Sequence, residues 1–411
     1  MPKFINTLKK RSSCLFLTVV LCGFCAEAKG FSNQSDNEKS LASFSKKGLI
    51  IEGEDYKFRF GGRLHADFVS VDDEITVFHD DADIRRLRVY GTASFGEKKN
   101  LKIKVDGDVG GTSTGLKNIW LSYKGADESF VPEGFSVKVG NFIAPVLGEN
   151  QKSSNHLKLI ERSMPSKLAS AFLLGGAVSY KGDDYKITAG YFGNPIRDDA
   201  LRPVDDGKSI IAKVTYAPIK RKKENLFFSS SLEHRTLDDA VASRVRVAPE
   251  FGLNNERLID TRRVNNVKSY TNYVLEGGYT NGPFAVNAQA VLRNNRASDY
   301  NDPQYKGFSV ESAYVLTGEK QRFSLGTGTV GKINPKEDFG ALEVATRYSN
   351  LSLEDGLING GEQENISLGL NWYINDNVRL MGNYVHANAK PNRNGKNEKA
   401  EALLGRFQVA F

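Results

Sequence analysis

Beyond residue 25 the sequence has no cysteine. Cys14, Cys22 and Cys25 are the only three in 411 residues. They fall in an amino-terminal stretch with a basic start (Lys3, Lys9, Lys10, Arg11), an apolar run from Cys14 to Cys25, and an Ala26-Glu27-Ala28 cleavage pattern. That stretch reads as a secretory signal peptide, 1–28, cut after Ala28. Its apolar run is about half the ~20 residues a spanning helix needs. The mature chain therefore carries no thiol, which excludes disulfides, zinc-thiolate sites and cysteine nucleophiles. After residue 28 there is also no apolar run of about 18 residues, so membrane entry is open only to strands. No stretch resembles an interdomain linker apart from the polar segment Lys29 to Lys47.

Strong charge is missing as well. The formal net charge of +7 loses Lys3, Lys9, Lys10, Arg11 and Glu27 with the signal peptide. What is left is mildly basic and makes no case for nucleic acid. The five histidines, His65, His79, His156, His234 and His386, show no metal-ligand spacing, and no phosphate-cradling glycine loop is present. No cofactor or metal is expected, and no enzyme. A lipase-like pair of His234 with Ser231 fails because opposite strand parity sends the two side chains to different faces.

What the chain does have is alternation. Phe58, Phe60, Leu64, Ala66 and Phe68 share one face of a strand, with Arg59, Arg63, His65 and Asp67 on the other. Leu87, Val89, Ala93 and Phe95 oppose Arg86, Arg88, Tyr90 and Thr92, and Leu101, Ile103 and Val105 oppose Lys102, Lys104, Asp106 and Asp108. Near the end, Ile366, Leu368, Leu370 and Trp372 alternate with polar residues, and Leu403, Phe407, Val409 and Phe411 stand against Arg406 and Gln408. One such strand would also suit a soluble sandwich. Many of them, about ten residues long with aromatic-rich ends and a terminal Phe411 on the apolar face, describe an all-β transmembrane antiparallel barrel in an outer membrane of Gram-negative type.

Sixteen strands are expected over 56–411, after a polar periplasmic segment at 29–55. They include segments at 339–350 and 364–374. The even count puts both ends on the periplasmic side and the long connections 144–171, 237–268 and 390–399 outside. The stretch 318–338 is then an unusually long inner connection or a sign of a shifted register.

The strings Lys138-Val-Gly-Asn-Phe-Ile-Ala-Pro145, Ser153-Ser154 and Glu161-Arg-Ser-Met-Pro165 resemble the phosphate-selective porin O/P family. So do Arg85-Arg-Leu-Arg88, Tyr314-Val-Leu-Thr-Gly-Glu319, Leu368-Gly-Leu-Asn-Trp-Tyr373 and Asn377-Val-Arg-Leu-Met-Gly-Asn-Tyr384. The resemblance covers nearly all of the mature chain. It implies a sixteen-stranded barrel in outer-membrane lipid, usually a homotrimer, whose third outer loop folds into the lumen. It also implies passage of anions, phosphate or polyphosphate among them, with arginines at the entrance and lysines at the constriction. Arg63, Arg85, Arg86 and Arg162 match family arginines, and Arg244-Val-Arg-Val-Ala-Pro-Glu250 resembles the arginine-bearing fifth outer loop. The constriction lysines are not located from sequence, which leaves phosphate specificity against general anion passage open.

On these grounds the expected anion path holds Arg63, Arg86 and Arg88 on the wall, Lys152, Lys158 and Arg162 on the third outer loop, and Arg244 and Arg246 on the fifth. The alternative for the wall is paired charges that stiffen the barrel with no bias for sign. Lys102 and Lys104, near Asp106 and Asp108, are the foremost candidates for that role. Arg85 has apolar parity and is expected at the outer rim or on a bulge. Leu157 to Arg162 is expected as a short helical turn with an apolar side against the wall, and Lys220 to Lys223 as an inner turn without a role. A weakly selective general porin and a surface adhesin or barrel scaffold are the competing functions.

Overall fold

The computed structural model describes residues 42–45, 48–111, 114–127, 129–196, 207–237, 242–331 and 333–411. The expected signal peptide lies outside them. Sixteen long strands follow one another: β1 (Tyr56–Asp73), β2 (Asp81–Phe95), β3 (Leu101–Gly110), β4 (Gly115–Lys124), β5 (Phe135–Ile143), β6 (Phe172–Lys181), β7 (Tyr185–Phe192) and β8 (Lys208–Lys220). Then come β9 (Glu224–Thr236), β10 (Ser269–Asn281), β11 (Phe284–Arg296), β12 (Gln304–Val315), β13 (Ala341–Asp355), β14 (Ile358–Tyr373), β15 (Val378–Ala389) and β16 (Glu398–Ala410). Each is antiparallel to the next, and β16 returns to β1 with Arg406 opposite Asp67 and Gln408 opposite His65. Closure pairs each of the sixteen long strands on both sides, the condition a strand structure must meet in hydrocarbon.

Burial along the wall is inverted relative to a water-soluble protein. Ile366, Leu368, Leu370 and Leu403 are half or more exposed, while Asn371, Glu343, Arg347 and Arg379 on neighbouring inward positions are buried. Such a large apolar exterior is untenable in water and is what a bilayer covers. Outward aromatics also adjoin across strands near the inner end, as in Tyr185 beside Tyr216 and Tyr216 beside Phe228. These are the interfacial aromatics expected of a membrane barrel.

The terminal residue completes the seam. The Phe411 amide donates to Gly62 O at 3.0 Å, and Phe411 O accepts from the Gly62 amide at 2.9 Å and from Tyr90 Oη at 3.0 Å. Below that point β1 runs on past the end of β16, and a short strand, Gly48–Glu52, pairs with it from Leu49 opposite Phe60 to Glu52 opposite Lys57. Wall-type pairing is thus present within the segment assigned to the periplasm.

Two expectations need correction. The strands expected at 339–350 and 364–374 extend to Asp355 and begin at Ile358, so the outer connection between β13 and β14 is a two-residue turn. Its Asn-, Gly- and Glu-rich text looked like loop because this part of the hairpin has little lipid-facing alternation to display. The segment Leu157 to Arg162 is irregular rather than helical. Short turns flank it at Ser154–His156 and Met164–Lys167.

Candidate functional site

Parity sends Arg59, Arg63, His65 and Asp67 of β1, Arg86 and Arg88 of β2, and Lys102, Lys104, Asp106 and Asp108 of β3 to the polar face. Lys138 of β5, Lys186 of β7 and Lys213 of β8 join them. Arg85 sits on a bulge, because the β1–β2 register skips it between His65–Arg86 and Ala66–Ile84. Its Nε reaches Glu161 Oε1 at 3.0 Å.

The segment 144–171, joining β5 to β6, lies against the polar face of β12 to β16 and β1. Arg347 donates to Glu161 O, Arg379 to Leu157 O at 2.9 Å and Arg406 to Ile160 O at 3.0 Å. Arg63 Nη1 donates to Ser154 Oγ at 2.8 Å, and His65 Nε2 is 3.2 Å from Asn155 Oδ1. Backbone carbonyls that have no partner within the segment are thus capped by wall arginines, whose planar forks suit several acceptors at once. Apolar contacts add to this, with Leu159 packed against Ala313 and Ala345, and Ile160 among Val69, Phe251, Met381 and Val385. Desolvation alone would raise the Glu161 carboxyl, but Arg85, Arg86 and Arg406 hold it below the ordinary carboxylate range.

Two further segments meet the same wall. Between β9 and β10, the buried Glu250 accepts from the Met164 amide at 3.1 Å, Arg347 Nη1 at 2.9 Å and Ser349 Oγ at 2.7 Å. Between β12 and β13, the long connection 316–340 carries a two-stranded piece, Phe323–Ser324 with Thr329–Val330. Phe323 stacks on inward Phe227 at 4.7 Å, and Gly326 O accepts from Lys186 Nζ at 2.9 Å. This is the stretch whose length looked anomalous in the sequence. The register is intact, and its length goes into packing against the polar face.

The expected path residues are therefore placed very differently. Lys158 is buried, with Nζ 2.7 Å from Glu343 Oε1 and 2.7 Å from Gln321 Oε1. Lys152 is buried 3.9 Å from Glu311. Arg162 caps Glu149 O and Lys152 O at 2.9 and 2.7 Å. Arg88 is bidentate to Asp108, Arg244 is bidentate to Asp260, and Arg246 is exposed with one contact to Asn255 O.

Arg59, Arg86, Lys102 and Lys138 have no ion pair among the described residues, and none of them is fully buried. Lys138 Nζ instead lies 4.2 Å from the Trp120 ring centroid and 4.3 Å from that of Phe142. Lys104, Lys186 and Lys102 stand near it, with Asp106 as a counter-charge that Lys104 holds at 2.8 Å. This lysine group was visible in the sequence only as inward parity. Strand neighbourhood across β3, β5 and β7 is what assembles it.

A closed ring of sixteen strands, lipid-ready outside and charged inside, defines an outer-membrane channel barrel. Comparison with known proteins agrees. A family model described as phosphate-selective porin O and P matches residues 58–411. Porin O of Pseudomonas aeruginosa is 26% identical over 412 residues, covering 89% of this chain and 92% of that one. Among solved structures, OmpT of Vibrio cholerae superposes with a TM-score of 0.56 at 12% identity, over 88% of this chain and 99% of that one. An anion-selective porin from Comamonas acidovorans gives 0.55 at 12% identity, over 87% and 100%. The chain belongs to the phosphate-selective porin O and P family. It is an outer-membrane porin and not an enzyme.

Proposed function

We propose that this porin passes anions along a lumen narrowed by the segment 144–171, with the open side against β2 to β7. The observation that carries the reading is the division of charge around the wall. On β12 to β16 the arginines Arg347, Arg379 and Arg406 are buried and committed to loop carbonyls and carboxylates. On β1 to β5 the groups Arg59, Arg86, Lys102 and Lys138 are half-buried and have no ion pair among the described residues. An excess of one sign beside low-dielectric walls concentrates the opposite ion.

Two stations follow from strand position. Towards the outer end, Arg86 stands on the same strand as Arg85 and Arg88, which are held by Glu161 and Asp108, and its guanidinium, without an ion pair among the described residues, suits contact with an oxyanion. Nearer the inner ends of their strands, Lys102, Lys138 and Lys186 act as point charges that attract and release. Phosphate or polyphosphate is the solute class this pairing fits, as the name of Porin O's family suggests. A homotrimer is the assembly that goes with it, since OmpT was solved in a trimer form.

The test is the zero-current potential of the purified porin in a planar bilayer under a potassium chloride gradient. Added phosphate should also block the chloride current saturably. A cation-selective channel would refute the reading. An unselective channel would leave a general porin, and no conductance at all would leave a surface scaffold.

A further inference from the structure

Lys158 stands on the segment 144–171 yet touches two other parts of the molecule. Its ammonium donates to Glu343 of β13 and to Gln321 of the connection 316–340, each at 2.7 Å. Glu343 also accepts from Gln321 Nε2 at 3.0 Å, Tyr373 Oη at 2.8 Å and Asn371 Nδ2 at 3.1 Å. Asn371 Nδ2 then returns to Lys158 O at 2.8 Å. Both charged side chains are essentially inaccessible, at 1% and 0%. A buried pair of opposite charges in direct contact presents no net charge to a passing ion.

The two segments that meet here come from opposite ends of the barrel, one joining β5 to β6 and the other β12 to β13. They touch again away from Lys158. A Cβ built on Gly331 would lie 3.1 Å from His156 Cβ, and one on Gly148 would lie 2.9 Å from Thr329 Cγ2. Neither segment forms regular structure of any length, so each owes its position to such contacts.

We infer that Lys158 is a positioning residue, a latch that joins the outer segment 144–171 to the inner connection 316–340 and so holds the cross-section of the channel. It is not a charge of the anion path. The inference rests on the proposed path along β2 to β7. Loss of the latch frees both segments on the β12 to β14 side and widens the passage.

The experiment uses the full-length porin in planar bilayers. Lys158→Met should raise single-channel conductance and add current fluctuations while leaving the zero-current potential near the wild-type value. Loss of a path charge would do the reverse, lowering conductance and anion preference together, and that result would overturn the latch. Glu343→Gln keeps the shape of the site and serves if Lys158→Met does not fold; it should show the same rise, smaller.

A second arm adds His156→Cys and Gly331→Cys to Lys158→Met, in a mature chain that otherwise has no thiol. Their Cβ positions, 3.1 Å apart, reach the roughly 3.5–4.5 Å of a disulfide once the two segments move apart by a few tenths of an ångström. Oxidation should return conductance to the wild-type level and dithiothreitol should raise it again. Failure of the disulfide to form, or oxidation that leaves conductance unchanged, would also overturn the latch. A wild-type channel that proves cation-selective sinks the anion reading through its potential, whereas the latch is judged on conductance.

Discussion

Lys138 is where the anion reading is most exposed to refutation. Its ammonium has no ion pair among the described residues and rests over Trp120 and Phe142, so Lys138→Met removes one charge and leaves its apolar packing partners in place. An ion passing about 6 Å away interacts with that charge by about 0.7 kcal/mol at the dielectric of water and about 2.8 kcal/mol at an effective dielectric near 20. The smaller figure is about threefold in occupancy. Neutralisation disfavours the anion and favours the cation equally, so their ratio would fall about tenfold before screening. At 0.1 M salt, with a Debye length of about 10 Å, roughly half of the interaction survives, and the expected fall is about three- to fourfold. At 1 M the screening length is about 3 Å and the effect should nearly vanish. The assay is the zero-current potential in potassium chloride gradients at low and high mean concentration. Lys222→Met, at an exposed inner-turn position between β8 and β9, is the control. Equal shifts for the two variants, or a Lys138 shift that does not shrink with salt, would mean that the lysine does not face the ion path.

Other outcomes follow from the same geometry. Arg406→Met leaves Asp67 buried without the guanidinium that holds both its oxygens at 2.6 Å, and should destabilise the barrel by about 3–5 kcal/mol. The drop would be read as a lower unfolding temperature in detergent, with much of it restored by adding Asp67→Leu. Deleting Phe411 removes the seam contacts to Gly62 and Tyr90 and should reduce heat-modifiable, membrane-embedded protein; unchanged assembly would show that the last residue is dispensable for closure. Protein recovered from outer membranes should begin at Lys29 and take up no thiol label, and a sequence starting at Met1 would remove the signal peptide from the account.

Arginines that looked alike in the sequence behave differently here. Arg86 and Arg406 both lie on inward parity, yet Arg86 Nη1 has no hydrogen-bond partner while Arg406 is bidentate to Asp67 and caps Ile160 O. Parity decides which face a side chain takes, since successive Cβ atoms on a strand point to opposite sides. It does not decide which part of that face a loop will cover. Lys158 shows the same limit. Its positive charge on the third outer loop suggested a place in the path, and only the convergence of Gln321 and Glu343 reveals it as buried.

The sequence by itself determined the barrel: its strand number, its inward and outward faces, its apolar terminus and its family resemblance. A lipid exterior demands period-two alternation in every strand, and that demand is local enough to be written residue by residue. Tertiary structure alone decided what the inward side chains meet. The segments at 144–171, 237–268 and 316–340 contact wall residues far away in the chain, such as Arg347 with Glu161 and Glu250. Irregular segments have no repeat to announce their partners. Their carbonyls and charges are satisfied by whichever inward side chains closure of the ring brings within reach, as Gly326 O is by Lys186 of β7 while Lys138 of β5 is left over the rings of Trp120 and Phe142.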